Sequence, residues 1–471
     1  MIVMKLRQFC YLSLVVCGMI SCTVNDNVIE DDIPYEFSDT TLFVLKEEFT
    51  PNLAIREGVV CTNEQTMRIV RGEECVAIIR IGEPITVAQA VREESWGYFQ
   101  FPIIYRAAEN PNALIIKWAM QEDSPAAYGQ NAGGRILSYD EGQTWRPLDY
   151  EYFEKKRGCA DLKNGDVLQI KNPSSKALSE YESFPTPVNA EPIGKQRYDF
   201  YFEKELPDEF QGCYLTYYNQ LTRTATDFHA YLNDPGLLRY STNGLMPVLW
   251  SGTIRQTNDG GLLAGVYGTF YQSEEGAILR AGISFYKSND QGKHWDIVGK
   301  IPYHGLDKDD RNEYHYDGKA GFSEPVFEVL DDGSLFCVMR NENWNVPMCK
   351  SFSYDSGKTW SVPEPFTPNG VKPALTLLDN GVLVLASGRP GVQLRVCIDG
   401  DGKTWSEPID MIPFIDKDGK YSSTRETCGY ANLLQCNDHT FYLVYSNFLT
   451  KDENDESRKS IIFRKIEVVS R

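Results

Sequence analysis

The sequence predicts an all-β fold, a six-bladed β-propeller whose blades are four-stranded antiparallel sheets. Three observations predict this fold. An octapeptide recurs along the chain, tight Asn-Gly or Asp-Gly turns interrupt alternating apolar segments, and the two signals alternate in a fixed order. A closed ring of small sheets leaves only short, protected strand edges, so one fold can take all of residues 96–471.

The recurring octapeptide begins with Ser and ends with Trp in its intact copies. Three copies are intact and a fourth is degenerate; they cover residues 138–145, 288–295, 353–360 and 398–405. The fourth has Gly400 where the aspartate should be. In each copy the carboxylate can accept backbone N–H bonds, the Gly can adopt a conformation closed to other residues, and the Trp can pack under the hairpin. We therefore expect each octapeptide to form a turn with a structural role. Their aspartates should take no part in catalysis.

The second signal is a two-residue turn between alternating apolar runs, the strongest short-range sign of a β-hairpin. It occurs at Asn164-Gly165, Asp259-Gly260, Asp332-Gly333 and Asn380-Gly381. Each unit therefore reads as strand, tight turn, strand, loop, strand, octapeptide, strand. The units lie near residues 99–147, 155–205, 245–297, 322–362, 371–407 and 427–467. Residues 35–95 supply further strands, one of which should pair with the last blade and close the ring.

The N-terminus indicates export. Lys5 and Arg7 precede an apolar run at residues 9–20 that is too short to span a bilayer and is typical of a signal peptide. Residues 19–22, Met-Ile-Ser-Cys, resemble the bacterial lipobox, which implies lipidation of Cys22 after removal of the signal peptide, residues 1–22. A flexible acidic tether follows at residues 23–34. We expect a membrane-anchored lipoprotein, periplasmic or at the cell surface, with the outer membrane as the expected location.

Composition excludes several other functions. The net charge of −19, without any basic run, argues against nucleic-acid binding, which needs clustered Lys and Arg. The twelve cysteines show no paired CxxC spacing, so neither a zinc site nor any other cofactor is predicted. Cys428 and Cys436 are close enough in sequence for a bridge, a question that the sequence leaves open.

The octapeptide matches the Asp-box, S-x-D-x-G-x-T-W, and through it the chain resembles the sialidase-like superfamily. The resemblance implies an exo-acting glycoside hydrolase that removes a terminal, acidic sugar, sialic acid or a relative, from a glycan. Sialidases use an acid/base Asp, a Tyr nucleophile activated by a Glu, and three arginines that bind the substrate carboxylate. A neutral phenol avoids repulsion by that carboxylate, but its pKa of about 10 requires a neighbouring base.

The resemblance assigns the base to Glu324, at the start of a strand-like segment over residues 322–333. Glu328 is the competing carboxylate in the same segment. Arg340 falls at the end of the following strand, where the family has one arginine of its carboxylate-binding triad. The nucleophile falls on Tyr430, which opens a strand of the last blade after Cys428-Gly429.

A second substrate-binding arginine is expected at Arg389, in the loop Ser-Gly-Arg-Pro-Gly at residues 387–391. Arg395 is the alternative, but it lies within the next strand. The first blade departs from the family, because Gln100 stands where sialidases carry the Arg of Arg-Ile-Pro. Gln can hydrogen-bond a carboxylate but lacks the charged, planar guanidinium. Arg106, further along the strand, is a possible substitute.

The acid/base residue is expected at Asp123, on the loop before the first octapeptide strand, with Glu122 as its neighbouring alternative. Two other classes of function stay open. The chain fits a non-catalytic glycan-binding surface lipoprotein, because a fold does not imply a function. It also fits a His-dependent polysaccharide lyase or hydrolase that uses His229 or His315 from long inter-blade loops.

Overall fold

The computed structural model describes residues 43–46, 54–56, 59–61, 65–123, 132–193, 196–247, 250–303, 321–342, 347–367, 370–389, 391–413 and 426–470. Cys22, the tether and His315 lie outside these ranges. Within them the chain is built from β-strands, with 3-10 turns at Leu178–Glu180, Glu203–Glu205 and Asp208–Phe210. The prediction of an all-β fold is confirmed. None of the helices in the described ranges has the length and apolar character needed to cross a membrane.

Strands occur along the whole described chain. The N-terminal strands are β1 (Phe43–Lys46), β2 (Ala54–Arg56), β3 (Val59–Cys61), β4 (Gln65–Arg71), β5 (Glu74–Ile81) and β6 (Ile85–Gln89). The strands that follow are β7 (Tyr98–Arg106), β8 (Leu114–Met120), β9 (Gly133–Ser138), β10 (Ala160–Asp161), β11 (Val167–Ile170), β12 (Lys176–Ala177), β13 (Asn189–Ile193), β14 (Gln196–Phe202), β15 (Cys213–Asn219), β16 (Thr224–Asn233), β17 (Leu238–Thr242) and β18 (Leu245–Met246). The remainder are β19 (Ser251–Gln256), β20 (Leu262–Tyr267), β21 (Ile283–Ser288), β22 (His294–Ile301), β23 (Phe322–Val329), β24 (Leu335–Asn341), β25 (Met348–Ser353), β26 (Glu364–Thr367), β27 (Val371–Leu377), β28 (Leu383–Gly388), β29 (Val392–Cys397), β30 (Ile409–Ile412), β31 (Ala431–Gln435), β32 (Thr440–Lys451) and β33 (Ser457–Ser470).

Six antiparallel groups of strands follow one another along the described chain and are named sheets 1 to 6, although the second and third belong to one continuous eight-stranded sheet. Sheet 1 is β7–β8–β9, extended by a bridge between Leu137 and Arg146. Sheet 2 is β10–β11–β15–β16, and sheet 3 is β19–β20–β21–β22; a parallel pairing of β16 with β22 joins them. Sheets 4 and 5 are β23 to β26 and β27 to β30. Sheet 6 contains β31, β32 and β33.

An inserted sheet interrupts this order. Strands β12, β18, β17, β14 and β13 pair with each other, apart from sheet 2, although they lie between its strands in sequence and just after them. The predicted second unit at residues 155–205 is therefore wrong in its later half, because the third and fourth strands of sheet 2 are β15 and β16. The inserted strands are rich in aromatic residues and take part in two small apolar clusters, one containing Phe200 and Tyr240 and the other containing Tyr201 with Phe210 of a 3-10 turn.

The Asp-box turns have the structural role expected of them. In the first, Asp140 accepts hydrogen bonds from the backbone N–H and the hydroxyl of Thr144 at 2.9 and 2.5 Å. The indole of Trp145 donates to the carbonyl of Gly142 at 3.1 Å and packs edge-on against Phe463 of sheet 6. Equivalent indole-to-glycine bonds occur at Trp295, Trp360 and Trp405. The aspartates hold turns, and the tryptophan of sheet 1 helps to join it to sheet 6.

N-terminal strands complete sheet 6. The edge of β33 that faces away from β32 pairs with β6 between Ser460 and Phe463, then with β5 between Ile466 and Ser470. The first and last parts of the described chain therefore share one sheet, and this pairing covers an edge that would otherwise be exposed.

One cavity of about 320 Å³ lies where the sheets meet. The first strand of every sheet contributes to its wall, through Ile104, Asp161, Thr253, Val326, Ala374 and Leu433. Buried apolar clusters fill the spaces between neighbouring sheets, such as the one formed by Phe336, Leu385 and Trp405 between sheets 4 and 5. Cys428 and Cys436 are both free thiols, so the structure contains no bridge between them.

Candidate active site

A backbone kink recurs in the first strands of sheets 1, 4 and 5. Phe101, Glu324 and Lys372 each precede a proline and each has a positive φ, of 54°, 47° and 32°. The strand register breaks at each position, so that these residues leave the regular ladder. Positive φ costs a non-glycine residue on the order of 1 kcal/mol and is concentrated at functional sites. The kinked residues, which lie near the point where the sheets meet, are therefore candidates for a functional site.

Glu324 and Tyr430, the predicted base and nucleophile, are in direct contact. The Tyr430 hydroxyl donates a hydrogen bond to one carboxylate oxygen of Glu324. The other oxygen accepts from Nη1 of Arg340 at 3.2 Å and from the backbone N–H of Lys372 at 2.7 Å. Both carboxylate oxygens are therefore held, one against the phenol and the other by positively polarised donors.

Electrostatics fixes the protonation of this pair. Burial alone would raise the pKa of Glu324, but Arg340, Lys372 and the phenol hydrogen bond outweigh burial and leave this pKa below its ordinary value. Burial, together with the Glu324 carboxylate, raises the pKa of Tyr430 well above its ordinary value. The resting pair is a neutral phenol donating to a carboxylate, which is the arrangement that a base-activated nucleophile requires.

Arg340 links two carboxylates. Besides its bond to Glu324, its Nη2 lies 3.4 Å from a carboxylate oxygen of Glu342, at the end of the same strand. Burial lowers the pKa of Arg340, but the two carboxylates outweigh it and raise the pKa above its ordinary value. Ser323 donates to Glu342 and so fixes the second carboxylate. Arg340 is a permanently charged group at the edge of the pair.

Arg389 lies against the ring of Tyr430. Its Nε and Nη2 donate to the carbonyl of Cys428 at 3.2 and 3.0 Å. Its guanidinium carbon is 5.6 Å from the centroid of the Tyr430 ring and 5.3 Å from that of Trp96. Gly429 permits this approach, because a Cβ there would lie 2.5 Å from the backbone nitrogen of Arg389. The structure therefore brings Arg389 to the predicted nucleophile.

Asp123 reaches the site through Trp96. Its carboxylate is exposed and accepts a hydrogen bond from the indole N–H of Trp96 at 3.0 Å. Because Trp96 is also in contact with Arg389, two further contacts connect Asp123 to Tyr430. An exposed carboxylate suits a group that exchanges protons with solvent and leaving group.

Gln100 is not brought to this group. Its side chain is fully buried, at 0% exposure. In the amide orientation that satisfies its neighbours, the oxygen accepts from Nζ of Lys459 at 3.2 Å and from the backbone N–H of Gly97 at 3.1 Å. The amide is therefore engaged by β33 of sheet 6 and by the turn before β7. Phe101 is the residue of this segment that contacts Tyr430, with ring centroids 4.7 Å apart.

The alternative residues have other partners. Arg106 forms a bidentate ion pair with Glu141 of the first Asp-box, so it does not substitute for the first-sheet arginine. Glu328 is held by two hydrogen bonds from Arg255. Arg395 lies within β29, where its Nη1 donates to the carbonyl of Ser406 at 3.4 Å. Glu122 is exposed beside Asp123.

The expectation that His229 lies in a long loop is wrong. His229 is within β16, the outermost strand of sheet 2, where its ring stacks on Tyr214 at 4.5 Å. Its Nε2 is 2.6 Å from the carbonyl oxygen of Gln211. Strand alternation was hidden there because polar residues dominate β16, which makes it resemble a loop in sequence.

Two central cations were missed by sequence reasoning. Arg157 precedes β10 and donates to the carbonyls of Ala431 and Pro102 at 2.6 and 2.7 Å, joining sheets 2, 6 and 1. Lys372 occupies the kink of sheet 5. A signal for Lys372 exists, because Lys372-Pro373 repeats the Glu324-Pro325 pattern at the start of a first strand. Arg157 has no comparable signal.

Among the described residues, no group of three His, Cys, Asp or Glu side chains is arranged to hold a metal ion.

The chain matches the family model of the BNR repeat-like domain over residues 200–443, more than half of its length. A comparison with curated proteins gave no match.

Solved structures resemble the chain at low sequence identity. A protein of unknown function from Dyadobacter fermentans aligns with a TM-score of 0.53 and 14% identity, covering 83% of this chain and 99% of that one. Trypanosoma rangeli sialidase in complex with sialic acid aligns with a TM-score of 0.40 and 13% identity, covering 80% of this chain and 55% of that one. NanB aligns with a TM-score of 0.42 and 13% identity, covering 82% and 71%. This chain thus spans little more than half of the trypanosomal protein. By its family match over residues 200–443, the chain belongs to the BNR repeat-like domain family.

Proposed function

We propose that sheets 1 to 6 are the blades of a six-bladed β-propeller, closed by β5 and β6, and that its centre is a glycosidase active site. The shared cavity supports the ring, because the first strand of every sheet contributes to its wall. The strand order within sheets 4 and 5 supports the blade assignment, because it runs from the centre outward in sequence order.

The function is exo-acting hydrolysis of a terminal, acidic sugar, sialic acid or a relative, from a glycan. One observation carries this proposal: the phenol of Tyr430 donates to the Glu324 carboxylate, which is also bound by Arg340. A buried tyrosine paired with a carboxylate beside arginines is the arrangement that a sugar with a carboxylate at its anomeric carbon demands, because an anionic nucleophile would be repelled.

The reaction follows from the positions of these groups. The Tyr430 oxygen forms a bond to the anomeric carbon as the bond to the leaving oxygen breaks. Glu324 takes the phenol proton, and Asp123 gives its proton to the leaving oxygen. In the second half, the Asp123 carboxylate takes a proton from water, whose oxygen displaces Tyr430, and Glu324 returns its proton to the phenol. Arg340 and Arg389 bind the substrate carboxylate throughout.

A second candidate is a non-catalytic glycan-binding protein. Two observations favour it: Gln100 is buried in place of an arginine, and two donors of Arg389 are already bound to a backbone carbonyl. No described contact of His229 supports the His-dependent alternative.

We also propose that lipidated Cys22 anchors the protein in the outer membrane. Radiolabelled palmitate should be incorporated by the wild type and not by Cys22→Ala.

The test is turnover of a panel of fluorogenic glycosides, led by the α-sialoside, by protein lacking residues 1–22. We expect Tyr430→Phe to lower kcat by a factor on the order of 10³ or more, because the nucleophilic oxygen is lost. The matched control is Tyr217→Phe, which removes another phenol-to-carboxylate hydrogen bond, to Asp166, away from the cavity. Equal rates for Tyr430→Phe and wild type would reject the mechanism, and binding without turnover across the panel would favour the second candidate.

A further inference from the structure

The centre of the sheets carries more positive than negative charge. Four cations and two carboxylates meet there. Arg157 and Arg389 lie over the Tyr430 ring, and Arg340 binds both Glu324 and Glu342. The Lys372 ammonium interacts electrostatically with Glu324. Charges packed around a concave site without compensation favour a ligand of the opposite sign. The excess exists although the expected first-sheet arginine is replaced by a buried glutamine.

The four cations differ in how many acceptors within the protein they already bind. Arg157 donates to two backbone carbonyls, Arg389 donates to one, and Arg340 is bound to two carboxylates. The Lys372 ammonium forms no hydrogen bond or ion pair with the residues that the structure describes, although the Glu324 carboxylate acts on it electrostatically. Its nitrogen lies 5.8 Å from the centroid of the Tyr267 ring. An ammonium without a bonded acceptor is available to an incoming anion.

Resting on the proposed function, we propose that Lys372 is a specificity-determining residue that binds the carboxylate of the acidic sugar, in place of the first-sheet arginine. The kink that holds Lys372 also directs its backbone N–H to Glu324, at 2.7 Å. Lys372 is one of the residues that line the central cavity, together with Arg157 and Pro325, whereas Arg340 lies outside the lining. The ligand carboxylate would thus be bound between Lys372 and Arg340.

This role predicts a pH dependence with a definite sign. Burial, with Arg157 and Arg340, lowers the pKa of Lys372 to about 8 against the opposing effect of Glu324. The charged groups around the ammonium are Glu324, Arg340 and Arg157, and Tyr267 is its titratable aromatic neighbour. Because a lysine is charged below its pKa, binding of the anion should be intact at pH 6.5 and weaken as the pH rises through about 8.

The test is calorimetric binding of free N-acetylneuraminic acid and of its methyl ester, which has the same shape without the charge. We expect wild type to prefer the acid at pH 6.5, Lys372→Met to lose about tenfold in affinity for the acid and little for the ester, and Lys372→Arg to retain the preference. Between pH 6.5 and 9, the affinity of wild type for the acid should fall, whereas that of Lys372→Arg should not. The control is Lys300→Met, which removes another ammonium that lies over an aromatic ring, Tyr271, outside the cavity.

Three outcomes would overturn the assignment: acid binding by Lys372→Met equal to that of wild type, equal losses for acid and ester, or no preference for the acid in wild type. If Lys372→Met does not fold, the pH comparison of wild type with Lys372→Arg decides. The proposed function fails separately, when wild type binds the acid but hydrolyses no glycoside; the Lys372 site would then belong to a binding protein.

Discussion

At the scale of single residues, Trp96 connects the predicted acid to the predicted nucleophile. Its indole N–H holds Asp123 at 3.0 Å, and its ring lies 5.3 Å from the guanidinium carbon of Arg389, which in turn lies against Tyr430. The two ends of this series of contacts, Asp123 and Tyr430, are far apart in the sequence. Trp96 was recognised only as the start of the repeated region, because a lone tryptophan in a loop carries no local pattern.

Trp96→Phe tests whether this contact positions the acid. The change keeps an aromatic ring beside Arg389 and removes the hydrogen bond to Asp123. We expect kcat to fall about tenfold for substrates with alkyl leaving groups, and less than about twofold for activated aryl glycosides, whose leaving groups depart without a proton. Steady-state kinetics on both substrate types is the measurement. Trp118→Phe, in β8 of sheet 1, is the control, and equal losses on both substrate types would show that Trp96 acts only through packing.

At the scale of strands and turns, the sequence was most informative where the determining contacts are local. The Asp-box turns and Asp-Gly hairpins were predicted because four to eight consecutive residues contain all the groups involved. The kinks at Glu324 and Lys372 depend instead on packing at the centre of six sheets. Their only local sign is the following proline, which many ordinary loops share. The inserted sheet was missed because the character of the residues alternates along its aromatic strands in the same way as along the strands of sheet 2.

Asp355→Ala tests the structural role of an Asp-box. Asp355 accepts from the backbone N–H of Thr359 at 2.8 Å, from its hydroxyl at 2.6 Å and from Ser353 at 2.9 Å. Losing these bonds should cost about 1–2 kcal/mol of folding free energy while kcat stays unchanged. Thermal unfolding and turnover are measured together, with Asp379→Ala in an exposed turn of sheet 5 as the control. A lower kcat at normal stability would contradict a purely structural role.

At the scale of the whole molecule, the pairing of β5 and β6 with β33 joins the two ends of the described chain. Sequence patterns indicated that an early strand would pair with the last blade without identifying which one. The candidate site was anticipated at Glu324, Tyr430, Arg340 and Arg389, since the family resemblance aligns them by motif. It was incomplete at Arg157 and Lys372, since their roles arise only when distant strands meet.

Deleting residues 1–90 tests the closure. The deletion exposes the edge of β33 over two pairing segments, Ser460 to Phe463 and Ile466 to Ser470. We expect a lower unfolding temperature and concentration-dependent association, because an unpaired edge strand accepts strands from other molecules. Calorimetry and size-exclusion chromatography measure the two effects against a chain lacking residues 1–41. A monomer of unchanged stability would show that sheet 6 does not depend on these strands.

The recurring kink has a consequence for how such a protein diversifies. Phe101, Glu324 and Lys372 occupy corresponding backbone positions, each before a proline, with an apolar, an acidic and a basic side chain. The same kink therefore presents three different chemistries within one chain. A substitution at one of these positions changes the charge of the site while the strand pairing on either side is kept, so a change of substrate charge needs few other substitutions.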